Sequence, residues 1–215
     1  MTITDVHRYS ELQRFETQDL YDVLDAGIVA HVGYVRGDHA VMIPMNYARD
    51  GHSILVHGST GAGFAKALRG GVPLSVTVTL VDGLVFEPSL YDSTVNYRSV
   101  MAFGDAEVVP PEEKEEALRL LCEHLMPGRW AETPRPTRKQ LAGTEVLRLP
   151  LDRSSVKVRT GGPGCDPVEG TWTGHLPIRS VLGDPVTQPG VTEPVPASVG
   201  LTRELFETTM SVVPD

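Results

Sequence analysis

Residues 74–80, Leu-Ser-Val-Thr-Val-Thr-Leu, alternate apolar and polar without a break, and nothing else in the chain limits the fold as tightly. Successive side chains of a strand point to opposite faces, so Leu74, Val76, Val78 and Leu80 form one apolar face. The pattern reads as a half-buried antiparallel strand. The wider stretch VTVTLVDGLVFEPSLYDSTVNYRSVMAFG, residues 76–104, reads as two strands about an Asp82-Gly83 turn. An irregular segment follows, then a polar Asn96-Tyr97-Arg98-Ser99 step into a third strand.

The remaining segments agree with a sheet flanked by short helices. Thr17 is the expected N-cap of a helix with Leu20, Val23 and Leu24 on one face and Gly27 at its end. Residues 28–35 and 40–47 read as a hairpin across Arg36-Gly37-Asp38-His39, and 53–56 as a further strand after Asp50-Gly51. A glycine run leads into a short helix through Ala65, Leu68 and Arg69. Pro110-Pro111 stops the strand 100–109, and an amphipathic helix follows with Ala117, Leu118, Leu121, Cys122 and Leu125 inward. A second short helix is expected from Pro136 or Thr137 to Leu141, then strands at 145–151 and 156–159. The Gly- and Pro-rich stretch from 161 to 170 reads as a functional loop because Trp172 follows it. Three regions result: an N-terminal arm (1–16) that wraps onto a partner subunit, a domain (17–183), and a Pro-rich C-terminal tail (184–215), extended over 184–200. The architecture is mainly β, antiparallel, with peripheral helices.

At 215 residues the chain can bury a core without metal or disulfide. Its net charge of −9 disfavours nucleic acid and anionic membranes as partners. No apolar run approaches the roughly 20 residues of a membrane span. The two cysteines, Cys122 and Cys165, stand far apart, which suggests neither a zinc site nor a redox dithiol. A reducing cytoplasm is the expected location.

The residues that carry chemistry gather in a few places. His57-Gly58-Ser59-Thr60-Gly61 offers two hydroxyls and a glycine-rich turn at a helix start, suited either to an anion or to an ordinary strand-to-helix turn. With the polar entry at Asn96, it points to a phosphate-bearing cofactor beside a β-barrel. Tyr97 and Arg98 fit a phosphate contact or a surface ion pair, since the guanidinium is a planar fork. His57, at a strand end, is either structural or the functional choice among seven histidines. Trp172 is either a core aromatic or a ligand contact.

Taken in order, HVGYVRG (31–37), IPMNYARDG (43–51), LVHGSTGAG (55–63), VTLVDGLV (78–85), NYRSVMAFG (96–104), MPGRWAE (126–132), SSVKVRTGGP (154–163) and WTGHLP (172–177) resemble the flavin-binding split-barrel proteins related to pyridoxamine 5'-phosphate oxidase. The resemblance is to the branch that includes nitroimidazole-resistance reductases. It implies a six-stranded antiparallel split β-barrel with FMN at a homodimer interface. Ser59, Thr60 and the backbone at Gly58 would hold the phosphate, with Lys66 the nearest basic side chain after the turn. The strand Met45-Asn46-Tyr47 would run beneath the flavin ring, Trp172 would approach from the other subunit, and His57 would line the active site.

The chain departs from the family pattern at Ala62-Gly63-Phe64, where a basic side chain would be sought first, at Gly164-Cys165-Asp166, where acidic residues would be usual, and most informatively between Phe86 and Asn96. Close relatives are expected to carry Ala-Arg-Ser and then His-His-Ser, where this chain has Glu87-Pro88-Ser89 and Asp92-Ser93-Thr94. Asp92 therefore joins His57 as a catalytic candidate, orienting substrate or accepting a proton. The reading is an FMN-dependent oxidoreductase acting on a small-molecule substrate. The alternatives are a divergent enzyme using haem, deazaflavin or no cofactor, and a non-enzymatic flavin-binding or sensing protein.

Overall fold

The computed structural model describes residues 2–61, 63 and 73–209. The helix expected through Ala65, Leu68 and Arg69, and Lys66 with it, lies outside the described residues. Ten strands form one antiparallel sheet with the order β1-β9-β6-β5-β2-β3-β4-β8-β7, and β10 pairs with β5. The strands are β1 (Gln13–Arg14), β2 (Val29–Arg36), β3 (His39–Asp50), β4 (Ser53–Ser59) and β5 (Leu74–Phe86). They continue with β6 (Thr94–Gly104), β7 (Glu107–Val108), β8 (Thr144–Pro150), β9 (Ser154–Arg159) and β10 (Gly174–Pro177). The helices are α1 (Thr17–Ala26), α2 (Lys114–Leu125), α3 (Arg129–Glu132), α4 (Arg138–Gly143) and α5 (Ala197–Thr209).

Strand alternation builds the core. Ala30 and Val32 of β2, Val76 and Val78 of β5, and Val100 and Ala102 of β6 point inward and are buried. Leu147 and Leu149 of β8 belong to the same cluster, so the sheet curls until β8 faces β6 and closes a split barrel. Leu20, Val23 and Leu24 of α1 plug it, each burial stabilising by about 1.5–3 kcal/mol. A second, smaller cluster lies between α2 and the opposite face of β3, β4 and β8, around Ala48, Leu55, Leu121 and Val146.

Gly27 ends α1 in an extended conformation, so the left-handed freedom of glycine is not what is used there. The need is space, because a Cβ at Gly27 would come 2.6 Å from both Tyr47 Oη and Val78 Cγ1. Thr137 caps α4 with a reciprocal Gln140 contact, at the position expected for a second short helix.

The antiparallel split-barrel reading stands: among the described residues the sheet counts ten strands, more than the six expected, with β1 and β7 of two residues each and β10 of four. Two expectations are corrected. Asp82-Gly83 is not a turn: β5 runs unbroken to Phe86, with a bulge between Val81 and Gly83. Asp82 stays on the inward side with Val76 and Val78 and meets Arg98, while Gly83 leaves room for β10, since its Cβ would lie 3.0 Å from the Leu176 carbonyl oxygen. The C-terminal tail contains the helix α5, whose first turn is capped by Glu132 of α3 through the Ser198 amide (3.0 Å) and hydroxyl (2.5 Å). The N-terminal arm packs on its own chain, where β1 pairs with β9 and Lys157 Nζ donates to the Arg8 carbonyl at 2.7 Å.

Candidate functional site

One row of residues crosses the outer face of the barrel. Lys157 pairs with Ser99, Ser99 with Thr79, and Val29 with Asn46, all side chains that alternate with core residues and so point away from it. The β2–β5 register, with His31 opposite Thr77, brings Val29 level with Thr79. The β3–β4 register, with Tyr47 opposite Val56, brings Asn46 level with His57. His57 and Asn46 are therefore cross-strand neighbours on the outer face, at the edge of the patch that α2 covers.

Of the three residues expected beneath a flavin, only Asn46 is on that face. Its Nδ2 donates to the Ile28 carbonyl at 3.2 Å, which fixes the amide and turns its oxygen outward. Met45 packs against the inner core, and Tyr47 is wholly buried with its hydroxyl donating to the Leu24 carbonyl at 2.5 Å. Burial pushes the Tyr47 phenol far up, so it stays neutral. The side chains of both pack inside the barrel, because odd positions of β3 face inward here, and at these two residues the strand presents only its backbone to the outer face.

His57 has no hydrogen-bond partner among the described residues, and burial lowers its pKa although part of the ring is open to solvent. A neutral imidazole with a free nitrogen can accept a proton, donate one, or ligate a metal. Gly58, Ser59 and Thr60 follow at the end of β4. The Thr60 amide donates to the Gly143 carbonyl at 3.0 Å and the Gly61 amide to Ser59 Oγ at 3.3 Å. The backbone cradle is thus engaged within the chain, and the hydroxyls of Ser59 and Thr60 are what remain for an anion.

Arg98 does not reach this turn. Its guanidinium is buried, with Nε and Nη2 donating to Asp82 Oδ2 and Oδ1 at 2.9 and 2.8 Å. The expected phosphate contact is corrected to an internal ion pair, because even positions at this end of β6 point inward. Tyr97 faces outward beside Ser99 and Lys157, in a cavity of about 310 Å³ closed by Asp5, Val6, His7 and Arg8 of the N-terminal arm.

Asp92 and Trp172 gather elsewhere, at the far end of β5. Asp92 is exposed; its Oδ2 accepts from Ser89 Oγ at 2.5 Å, and its amide donates to the same hydroxyl at 3.1 Å. Trp172 packs on Phe86 with ring centroids 5.5 Å apart and remains 69% exposed, with Gly174 leaving room for its indole. Glu87, in the segment that departs from the family pattern, accepts from the Gly164 amide (2.7 Å) and Cys165 Sγ (2.6 Å) and so pins the glycine-rich loop. Asn96 donates to the Gly161 carbonyl at 2.9 Å and holds the loop's start. Several strand residues and three strand spacings separate this cluster from His57, on the order of 20 Å. The expected site residues therefore fall into two separate groups on one chain.

Sequence reasoning missed Arg36. Its guanidinium lies against Gly63, three residues beyond Thr60, although 36 and 63 are far apart in the chain. The lack of a basic residue directly after the turn was the one available signal.

Residues 16–158 match the family model described as pyridoxamine 5'-phosphate oxidase. Among solved structures, a FAD and haem binding protein from Mycobacterium smegmatis is 36% identical, with a TM-score of 0.85 over 89% of this chain and 97% of its own. The flavocytochrome Anf3 from Azotobacter vinelandii is 33% identical, with a TM-score of 0.87 over 92% of this chain and 95% of its own. A nitroimidazole antibiotic resistance protein from Bacteroides thetaiotaomicron shares the fold at 19% identity and a TM-score of 0.59, over 68% of this chain and 86% of its own. No curated protein matches. Among the described residues, no helix is long and apolar enough to cross a membrane.

Proposed function

This chain belongs to the pyridoxamine 5'-phosphate oxidase family, and from that premise we propose a flavin-binding redox protein that also carries haem and works as a homodimer. The supporting observation is similarity to a FAD and haem binding protein and to a flavocytochrome over about nine-tenths of the chain, well beyond the barrel alone. When bound, flavin supplies hydride and single-electron transfer, and haem iron supplies single-electron transfer.

The residues present fit such groups in part. Ser59 and Thr60 offer hydroxyl donors to a phosphate, and the Asn46 amide oxygen faces outward where a flat ring would lie on the sheet. His57, held neutral, is the imidazole suited to ligate iron or to pass a proton at the ring edge. The second half-site, with Asp92 and Trp172, joins the first if two chains pack outer face to outer face, which is the reason for a dimer. Asp92 then orients a small-molecule substrate and Trp172 covers the ring. FMN alone, with no haem, is the second reading; it rests on the family match over the barrel.

The test is the absorbance spectrum of protein reconstituted with FAD, FMN and haemin in turn. Flavin bands together with a Soret band are expected, and a His57→Ala variant that keeps flavin but loses the Soret band would identify the iron ligand. Protein that retains neither group contradicts the proposal, and flavin without haem favours the second reading.

A further inference from the structure

The space that a side chain at position 63 would fill is taken by a guanidinium from another strand. A Cβ on Gly63 would lie 3.1 Å from Arg36 Nη1, 3.5 Å from Arg36 Cζ and 3.8 Å from Arg36 Nη2, which are its three nearest neighbours. Arg36 ends β2 and is exposed, and it has no carboxylate or hydrogen-bond partner among the described residues. Among the described residues Arg49, Arg98, Arg119, Arg129, Arg148 and Arg203 each pair with a carboxylate, whereas the Arg36 guanidinium is one of those left available to an anionic ligand.

Resting on the flavin reading above, we propose that Arg36 grips the flavin phosphate, replacing the basic side chain that this chain lacks directly after Ser59-Thr60. Three peptide units separate Thr60 from Gly63 and four separate Ser59 from it, so the two hydroxyls lie within about 11 and 14 Å of chain from the residue the guanidinium touches, the span of a phosphate or diphosphate and its ligands. The backbone amides of Thr60 and Gly61 are engaged inside the chain, which leaves side chains to neutralise the anion. A guanidinium presents N–H donors in a planar fork that matches phosphate oxygens, and glycine at 63 keeps that fork seated against the turn.

The experiment measures binding of riboflavin, FMN and FAD by fluorescence quenching. It compares the natural chain, Arg36→Ala, and Arg36→Ala combined with Gly63→Arg, with thermal melts as a folding control. Arg36→Ala should weaken FMN or FAD by about tenfold or more, the scale of one charge-assisted contact, and leave riboflavin unchanged. Adding Gly63→Arg should recover most of the loss by restoring a basic group from the turn itself. Undiminished FMN and FAD affinity in Arg36→Ala, or an equal loss for riboflavin, would overturn the assignment while the flavin reading stands. A natural chain that binds none of the three flavins would overturn both.

Discussion

Arg98 and Asp82 close on each other across β5 and β6 in a two-pronged ion pair, with side chains only 8% and 3% exposed. Alternation carries both to the inner face, Asp82 in step with Val76 and Val78 and Arg98 in step with Val100 and Ala102, and the bulge falls between Val81 and Gly83. Removing one partner leaves a buried charge without compensation, which costs about 3–5 kcal/mol. Arg98→Ala and Asp82→Ala should therefore each lower the melting temperature strongly. The double variant should be less destabilised than the sum of the two. Flavin affinity per folded molecule should hardly change in Arg98→Ala, and a selective loss of phosphate-bearing flavins with normal stability would return Arg98 to the binding site.

Local patterns in the sequence carried much of the fold, and long-range partners carried what it concealed. The hairpin of β2 and β3, the plug helix α1 and the Thr137 cap follow from alternation, helical spacing and turn residues within short windows. Asp82-Gly83 has the composition of a hairpin turn, but its partners are distant in the chain, Arg98 sixteen residues on for Asp82 and Pro177 of β10 for Gly83. The helix α5 follows a proline-rich run and takes its cap from Glu132, so its start had no local signal. At the site, His57 and Asn46 proved to be neighbours, while Met45 and Tyr47 point inward and Arg36 was invisible. Residue type suggested phosphate chemistry, but which face each side chain joins depends on register.

His124 of α2 sets a pH limit on stability. Its Nε2 lies 2.7 Å from the Gly27 carbonyl, so that nitrogen donates, and its ring packs on Tyr47 with centroids 5.1 Å apart. Burial lowers its pKa below the ordinary 6.5, outweighing the Gly27 contact and the Asp25 charge. The unfolded chain then takes up the proton first as pH drops. The stability tied to neutral His124 is present above 6.5 and is lost as pH falls through the depressed folded value. His57 is shifted the same way and adds to the effect. Thermal melts should show a falling transition temperature from about pH 7 to about pH 5, and His124→Gln should flatten part of that slope. Glu87 and Glu132, both lowered by hydrogen bonds, lose their stabilisation only below the ordinary 4.5. An unchanged slope in His124→Gln would rule out this origin.

The thiol of Cys165 should react more slowly than its exposure suggests. Glu87 accepts its hydrogen at 2.6 Å and, with some loss of hydration, raises its pKa above the ordinary 9.0. The thiolate is the reactive form, so fewer molecules are poised to react at mildly alkaline pH. Glu87→Gln removes the charge and should speed labelling of Cys165 by a disulfide reagent several-fold, with Cys165→Ser as the blank. Equal labelling rates in the two proteins would show that access, not the carboxylate, controls the thiol.

The outer sheet face predicts assembly. Met42, Val81 and Met101 project from β3, β5 and β6 with 65%, 49% and 40% of their surface exposed, beside an apolar cavity of about 480 Å³ floored by Gly33. Exposed apolar side chains on one sheet face are costly in water and suit the dry centre of an interface. The half-site of His57 and Asn46 lies on this same face, and the half-site of Asp92 and Trp172 is on the order of 20 Å away within the chain. Packing two chains face to face covers the methionines and can bring one half-site against the other. Sedimentation should therefore give a species of twice 23.3 kDa at micromolar concentration. Met42→Asp places an unpaired carboxylate in the centre of that contact, and its desolvation should shift the protein to monomer. On the proposed reading that the site is built from both chains, flavin should be released in parallel with dissociation. A natural chain that sediments as monomer while holding one flavin per chain would refute both the interface and the shared site.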